Sequence, residues 1–125
     1  MKKIWLLVVV VAISLVAGCV GEVKTYTDSG QAINIGVNQE FVIALGSNPT
    51  TGYSWQESHD DTVLKLVEKT YEPGEKAKQG AVGAGGVEYF QFKALNMGKT
   101  EITLVYKRPR EEKAVDQKVF TVTIK

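Results

Sequence analysis

The 125-residue chain has one cysteine and one histidine. A single Cys leaves no partner for an intramolecular disulfide, so a domain of about 100 residues must be held by its core alone, which is feasible at that size. A single His makes a nucleophile–base pair hard to assemble. That residue, His59, lies in the polar run Glu57–Asp61 and reads as a solvated loop residue. A metal site there would need His59, Asp60 and Asp61, and neighbours in sequence do not easily converge on one ion. No paired carboxylates stand out. Charge of one sign is also missing: 15 Lys and Arg stand against 14 Asp and Glu, interspersed along the chain. That excludes the basic stripe of a nucleic-acid footprint. Asn48-Pro49-Thr50 has Pro in the middle position and is no glycosylation acceptor. The glycine-rich Gly80–Gly86 lacks the spacing, the following helix and the Lys–Ser/Thr of a phosphate loop. Together these absences argue against an enzyme, a metal or a cofactor, and toward a binding module.

The longest apolar run, Ile4–Ala17, is interrupted only by Ser14. It falls short of the roughly 20 residues that span a bilayer. Preceded by Lys2 and Lys3, it fits the apolar region of a secretory signal. It ends Leu15-Val16-Ala17-Gly18-Cys19, which resembles a lipobox, with the chain's lone Cys at the position that becomes lipidated. The expectation is a lipoprotein-type signal peptide over 1–18 and a polar tether over 19–31. An exported protein would then be held on the outer face of a membrane through Cys19. Lipoprotein-type modification implies several acyl chains, enough for stable anchoring where one chain binds weakly.

From residue 32 onward the hydrophobic period is two. Apolar residues alternate through Ile33–Ile35, Phe41–Leu45, Tyr53–Trp55, Phe90–Ala94, Ile102–Tyr106 and Phe120–Ile124, with a further apolar segment at Val63–Val67. β-Branched and aromatic residues dominate them, and Gly, Pro, Asn and Asp fill the gaps. About seven short strands in one all-β domain over 32–125 point to a sandwich. Asp60–Lys69 also admits a helical turn, although its spacing suits a strand at least as well. Trp55 is the natural buried aromatic of such a core.

Three connections are longer or odder than hairpins require: Gly46–Gly52, Pro73–Gly86 and Arg108–Lys118. In the first, Pro49 fixes its own φ and disfavours the helical region for Asn48. The Asn48 side chain can cap the turn, and Gly52 permits positive φ. Thr50 and Thr51 are held between them at a small, stiff apex. Taken alone, this reads first as a turn capping a hairpin; the other reading is a wedge that enters a narrow cleft at little entropic cost. Gly83–Gly86 permits close backbone approach to another surface, or is a flexible tip. The third leaves its strand at Arg108-Pro109, because Pro cannot donate to a ladder.

In combination these loops resemble the chagasin-type inhibitors of papain-like cysteine proteases. That family carries Asn-Pro-Thr-Thr-Gly-aromatic, Gly-x-Gly-Gly and Arg-Pro-aromatic in three successive loops. Here they are Asn48, Pro49, Thr50, Thr51, Gly52 and Tyr53; then Gly83, Ala84, Gly85 and Gly86; then Arg108 and Pro109. The resemblance covers about residues 30–125. It implies an immunoglobulin-like β-sandwich acting as a monomer and as a reversible, competitive inhibitor, with the three loops lying across the protease cleft. The tip at Thr50–Thr51 would sit over the catalytic Cys and His of the target. Gly83–Gly86 would run along the cleft and offer backbone hydrogen bonds as in strand addition, and Arg108 with Pro109 would contact its far side. One position departs: Arg110 stands where the family has a bulky aromatic. Arg can still stack on an aromatic of the target. The competing expectation is a lipid-anchored immunoglobulin-like module for another envelope protein or a glycan, which would call for an exposed aromatic platform.

Overall fold

The computed structural model describes residues 23–80 and 85–125. The expected signal segment, Cys19, Gly83 and Ala84 lie outside the described residues. Among the described residues, eight strands are arranged in two four-stranded sheets: β1 (Lys24–Tyr26), β2 (Ile33–Ile35), β3 (Glu40–Ser47), β4 (Ser54–Ser58), β5 (Leu64–Pro73), β6 (Gly86–Ala94), β7 (Gly98–Lys107) and β8 (Asp116–Ile124). One sheet has the order β1-β3-β6-β5 and the other β2-β8-β7-β4. The short strands β1 and β2 join parallel to β3 and β8; all other neighbours are antiparallel. A single helical turn, α1 (Glu75–Lys78), interrupts the β5–β6 connection.

Period two decides which residues go inside. Phe41 and Ile43 of β3 pair with Phe92 and Phe90 of β6, Leu45 stands opposite Glu88, Leu64 of β5 pairs with Ala94, and Ile102, Leu104, Phe120, Val122 and Ile124 of the other sheet complete the core. All four phenylalanines are fully buried, and Phe41 stacks on Phe92 with 5.6 Å between centroids. Each such side chain contributes about 1.5–3 kcal/mol, which is how the domain coheres with no disulfide.

Two expectations change. The stretch read as a polar tether supplies β1: Lys24–Tyr26 pairs with Phe41–Ile43, and Tyr26 packs edge-on against Phe41 at 6.2 Å. At 60–69, the turn and the strand are both present. Asp60 Oδ1 accepts from the N–H and hydroxyl of Thr62, closing a turn over 60–63, and β5 runs on from Leu64. A bulge between Leu66 and Glu68 turns Val67 out to solvent, so the apolar run there is only partly core.

Candidate functional site

The topology brings the three unusual connections to one end of the sandwich. Ser47, the last residue of β3, pairs with Gly86, the first of β6, which also pairs with Pro73, the last of β5. In the other sheet Ser54 pairs with Lys107, and Tyr106 with Asp116. The described ends of the β3–β4, β5–β6 and β7–β8 connections therefore leave together at one end of the two sheets. The first is not a hairpin: it crosses from one sheet to the other.

That crossing is built by local chemistry. Pro49–Thr51 forms a 3-10 turn, and the Asn48 side chain accepts from the Thr50 N–H at 3.3 Å and from its hydroxyl at 2.5 Å. The Asn48 carbonyl accepts from the Thr51 hydroxyl at 2.7 Å. Gly52 closes the turn at φ +85°, a left-handed conformation that favours glycine. Thr50 and Thr51 are exposed at the apex, with both hydroxyls bonded to Asn48.

The roots of the loop are fixed to the strands beneath. The Trp55 indole N–H donates to the Gly46 carbonyl at 2.9 Å, and Trp55 is only 3% exposed, the structural role its position suggested. The Asn48 N–H donates to the Tyr106 hydroxyl at 3.0 Å. Tyr106 lies between Tyr53, stacked at 5.5 Å, and Trp55, tilted at 4.9 Å.

The third loop folds onto the first. The Arg108 guanidinium carbon lies 4.6 Å from the Tyr53 ring centroid, and its Nε donates to the Thr51 carbonyl at 3.2 Å. Nη1 pairs with Glu111 at 3.2 Å, across a turn closed by the Glu111 N–H on the Arg108 carbonyl. Arg108 thus has partners inside the domain before it meets any other protein. Pro109 and Arg110 are exposed beyond it.

The glycines of the second loop also have an internal reason. A Cβ on Gly85 would meet the Ser47 carbonyl oxygen at 2.8 Å, and one on Gly86 would overlap the Glu72 carbonyl oxygen and meet the Tyr71 hydroxyl at 2.7 Å. The Gly85 carbonyl accepts from the Gly74 N–H at 3.1 Å. Close backbone approach is real at this point, but the surface approached is first the domain's own.

Sequence reading missed two residues. Glu88 is 4% exposed, in phase with Phe90, Phe92 and Ala94 on the inward face of β6; an acid in the register of three apolar residues was the available signal. Its Oε2 accepts from the Trp55 N–H at 3.0 Å, while Oε1 stands 3.8 Å from Lys69 Nζ, which donates to the Trp55 carbonyl at 3.1 Å. His59 is the other, and here the expectation is corrected. Its side chain is only 10% exposed, packed edge-on to Phe92, with Nδ1 2.6 Å from Glu57 and Nε2 2.8 Å from Asp61. It sits after β4, at the end away from the loops, and has no part in the edge. Asp60 beside it is held below its ordinary value, first by the Thr62 hydroxyl and then by the Thr62 N–H.

Comparison with known proteins meets this geometry from outside. The family model described as "Chagasin family peptidase inhibitor I42" matches residues 34–124. Chagasin of Trypanosoma cruzi is 31% identical over 107 residues, 81% of this chain and 94% of that protein. The solved structure of the cysteine protease inhibitor EhICP2 from Entamoeba histolytica superposes with a TM-score of 0.67 at 26% identity, covering 83% of this chain and 98% of that one. The solution structure of Amebosin gives 0.70 at 28% identity, with 84% and 100% covered.

Proposed function

The chain belongs to the chagasin family of peptidase inhibitors (I42), a cysteine protease inhibitor and not an enzyme, and from that membership we propose how it works. It is a reversible, competitive inhibitor of papain-like enzymes, and its three loops occlude the active-site cleft. The single observation that carries the reading is the shared edge: three motif-bearing connections issue side by side from paired strand ends. The Thr50–Thr51 apex is narrow, stiffened by Asn48, and sits over the catalytic Cys and His of the target. Its preorganisation limits the entropy lost on docking. The second loop, Gly83, Ala84, Gly85 and Gly86, lies along the cleft, with Gly86 as its anchored end. Pro109 and Arg110 reach the far side, and Arg108 holds Tyr53 and Thr51 in line with them. No side chain of the edge offers an electrophile, so release regenerates both proteins. Titrating papain with the protein against a fluorogenic peptide tests this. A rise in apparent KM at constant maximal rate is expected, and no inhibition at micromolar protein would overturn the reading for generic targets.

The competing reading, a glycan- or envelope-binding module, draws no support from the aromatics of this edge. Trp55 is buried, and Tyr53 is covered by Tyr106 and Arg108.

The setting we propose is a monomer, exported and anchored by lipid on Cys19. What supports it, besides the lipobox-like run, is the direction of β1. Lys24 pairs with Phe41 near the start of β3, while β3 ends at the loop edge. The five residues after Cys19 reach at most about 18 Å, so the edge would face away from the lipid. Mass spectrometry of the membrane fraction, with Cys19→Ser as control, tests it: an acylated Cys19 is expected, and an unmodified one would refute it.

A further inference from the structure

The carboxylate of Glu88 is out of place by every packing rule. It occupies the inward register of β6, where the next three inward residues are Phe90, Phe92 and Ala94. Burying a charge is costly unless its oxygens are matched, and one partner left alone is worse than none. Here both oxygens are engaged, and toward one residue. Trp55 belongs to β4, an edge strand whose one neighbour among the described residues is β7. Glu88 takes its N–H, and Lys69, facing the other carboxylate oxygen, takes its carbonyl. The acid and the lysine supply to one residue of β4 what a neighbouring strand would supply, across the gap between the sheets.

The position of this bridge matters more than its strength. Trp55 stands three residues after Gly52, at the root of the first loop. Glu88 stands two residues after Gly86, and Lys69 four before Pro73, one on each strand that carries the second loop. We infer that Glu88, with Lys69, is a clamp that sets the spacing between the Thr50–Thr51 apex and the Gly85–Gly86 edge. Glu88 is thus a positioning residue for inhibition and does not itself touch the protease. The inference rests on the inhibitory reading above. At 4% exposure Glu88 cannot reach a partner surface, so any effect on affinity must pass through the loops. Two loops that must enter one rigid cleft together lose affinity when their separation fluctuates, because the ordering then has to occur on binding.

The deciding variant is Glu88→Leu, which fills the same space but removes the acceptor of the Trp55 N–H and the partner of Lys69. Full-length protein, in a non-ionic detergent for its apolar N-terminal run, is assayed for papain inhibition, thermal unfolding and amide hydrogen exchange over 48–57. Glu88→Leu should unfold somewhat earlier than wild type because the buried Trp55 N–H loses its acceptor, yet remain folded at the assay temperature and inhibit about ten-fold less well, with exchange speeded at Trp55 and through the first loop more than in β7 and β8. Glu88→Gln keeps an acceptor for the Trp55 N–H and should stay within about three-fold of wild type. Lys69→Met reaches the clamp from its half-exposed side and serves if the Leu variant does not fold; it should inhibit about three-fold less well, with faster exchange over the same segment. Unchanged inhibition or unchanged exchange in a folded Glu88→Leu, or in Lys69→Met, overturns the clamp. If wild type itself fails to inhibit papain, the functional reading falls instead, and exchange alone still decides whether the clamp exists.

Discussion

The guanidinium of Arg108 lies over Tyr53 with its central carbon 4.6 Å from the ring centroid, while its Nε donates to the carbonyl of Thr51. Two loops far apart in sequence are thereby fastened by one side chain. Arg108→Ala removes a cation–π contact of about 0.5–1 kcal/mol and a charge-assisted hydrogen bond of about 1.5 kcal/mol. Some of that is retained by water and the rest is lost from the folded domain, so Tm should fall by several degrees and inhibition should weaken about ten-fold as the two loops come apart. Arg108→Lys keeps the charge but loses the planar fork, and should recover less than half of the lost free energy. Inhibition constants for the two variants check this.

The apex should be limited by size. Thr51 is exposed and its hydroxyl bonds locally, to the Asn48 carbonyl and from the Tyr53 N–H, so Thr51→Trp leaves the core untouched and adds a ring where a cleft must close. Inhibition should be lost with Tm unchanged. A Thr51→Trp variant that inhibits normally would show that the apex does not enter the cleft.

Arg110 stands beyond the anchored pair, exposed, where the family pattern has an aromatic. Arg110→Trp should tighten inhibition of a generic papain-like protease by a few-fold, within the roughly 0.5–1.5 kcal/mol that aromatic pairs add. An unchanged or weaker inhibition constant would count against stacking at this position.

Two glycines on paired strands should behave in opposite ways. Gly46→Ala meets nothing within 4 Å and should leave Tm almost unchanged, whereas a Cβ at Gly86 would lie 2.8 Å from Pro73 Cα and overlap the Glu72 carbonyl. Gly86→Ala should destabilise by on the order of 2 kcal/mol or more, a fall of roughly 10 °C in Tm. Thermal unfolding of both variants compares them directly.

Acid should find Asp60 late. Its carboxylate accepts from the Thr62 hydroxyl at 2.6 Å and from the Thr62 N–H at 2.9 Å, which hold it below its ordinary value. A folded-state value below the unfolded one means that the turn's contribution is present above the unfolded value and lost as pH falls through the folded one. NMR titration should place the Asp60 midpoint below that of an unperturbed Asp, and Thr62→Val should move it back up. An unmoved midpoint would mean that the hydroxyl does not matter.

Much of this was readable from residues alone. Phe41, Phe90, Phe92 and Phe120 declared their strands by period two, and Asn48, Pro49 and Gly52 declared their turn by backbone chemistry. What could not be read was long-range. No local rule pairs Arg108 with Tyr53 or Glu88 with Trp55, since each contact exists only once two sheets are stacked. β1 escaped notice because three residues with no buried side chain carry no period; pairing with β3 makes them a strand. His59 was misread because its neighbours in sequence are polar; they do hold its two ring nitrogens, but its ring also packs on Phe92, a contact no local rule shows.

Where the edge sits on a bound protease decides whether the three loops enter the cleft. Papain's catalytic cysteine reacts with iodoacetamide, and that rate reports access to the cleft. With one equivalent of the protein present above its inhibition constant, alkylation should slow in proportion to the enzyme complexed, and Thr51→Trp should restore it. Alkylation at the uninhibited rate, while peptide hydrolysis is blocked, would place the inhibitor elsewhere on the enzyme and contradict the account.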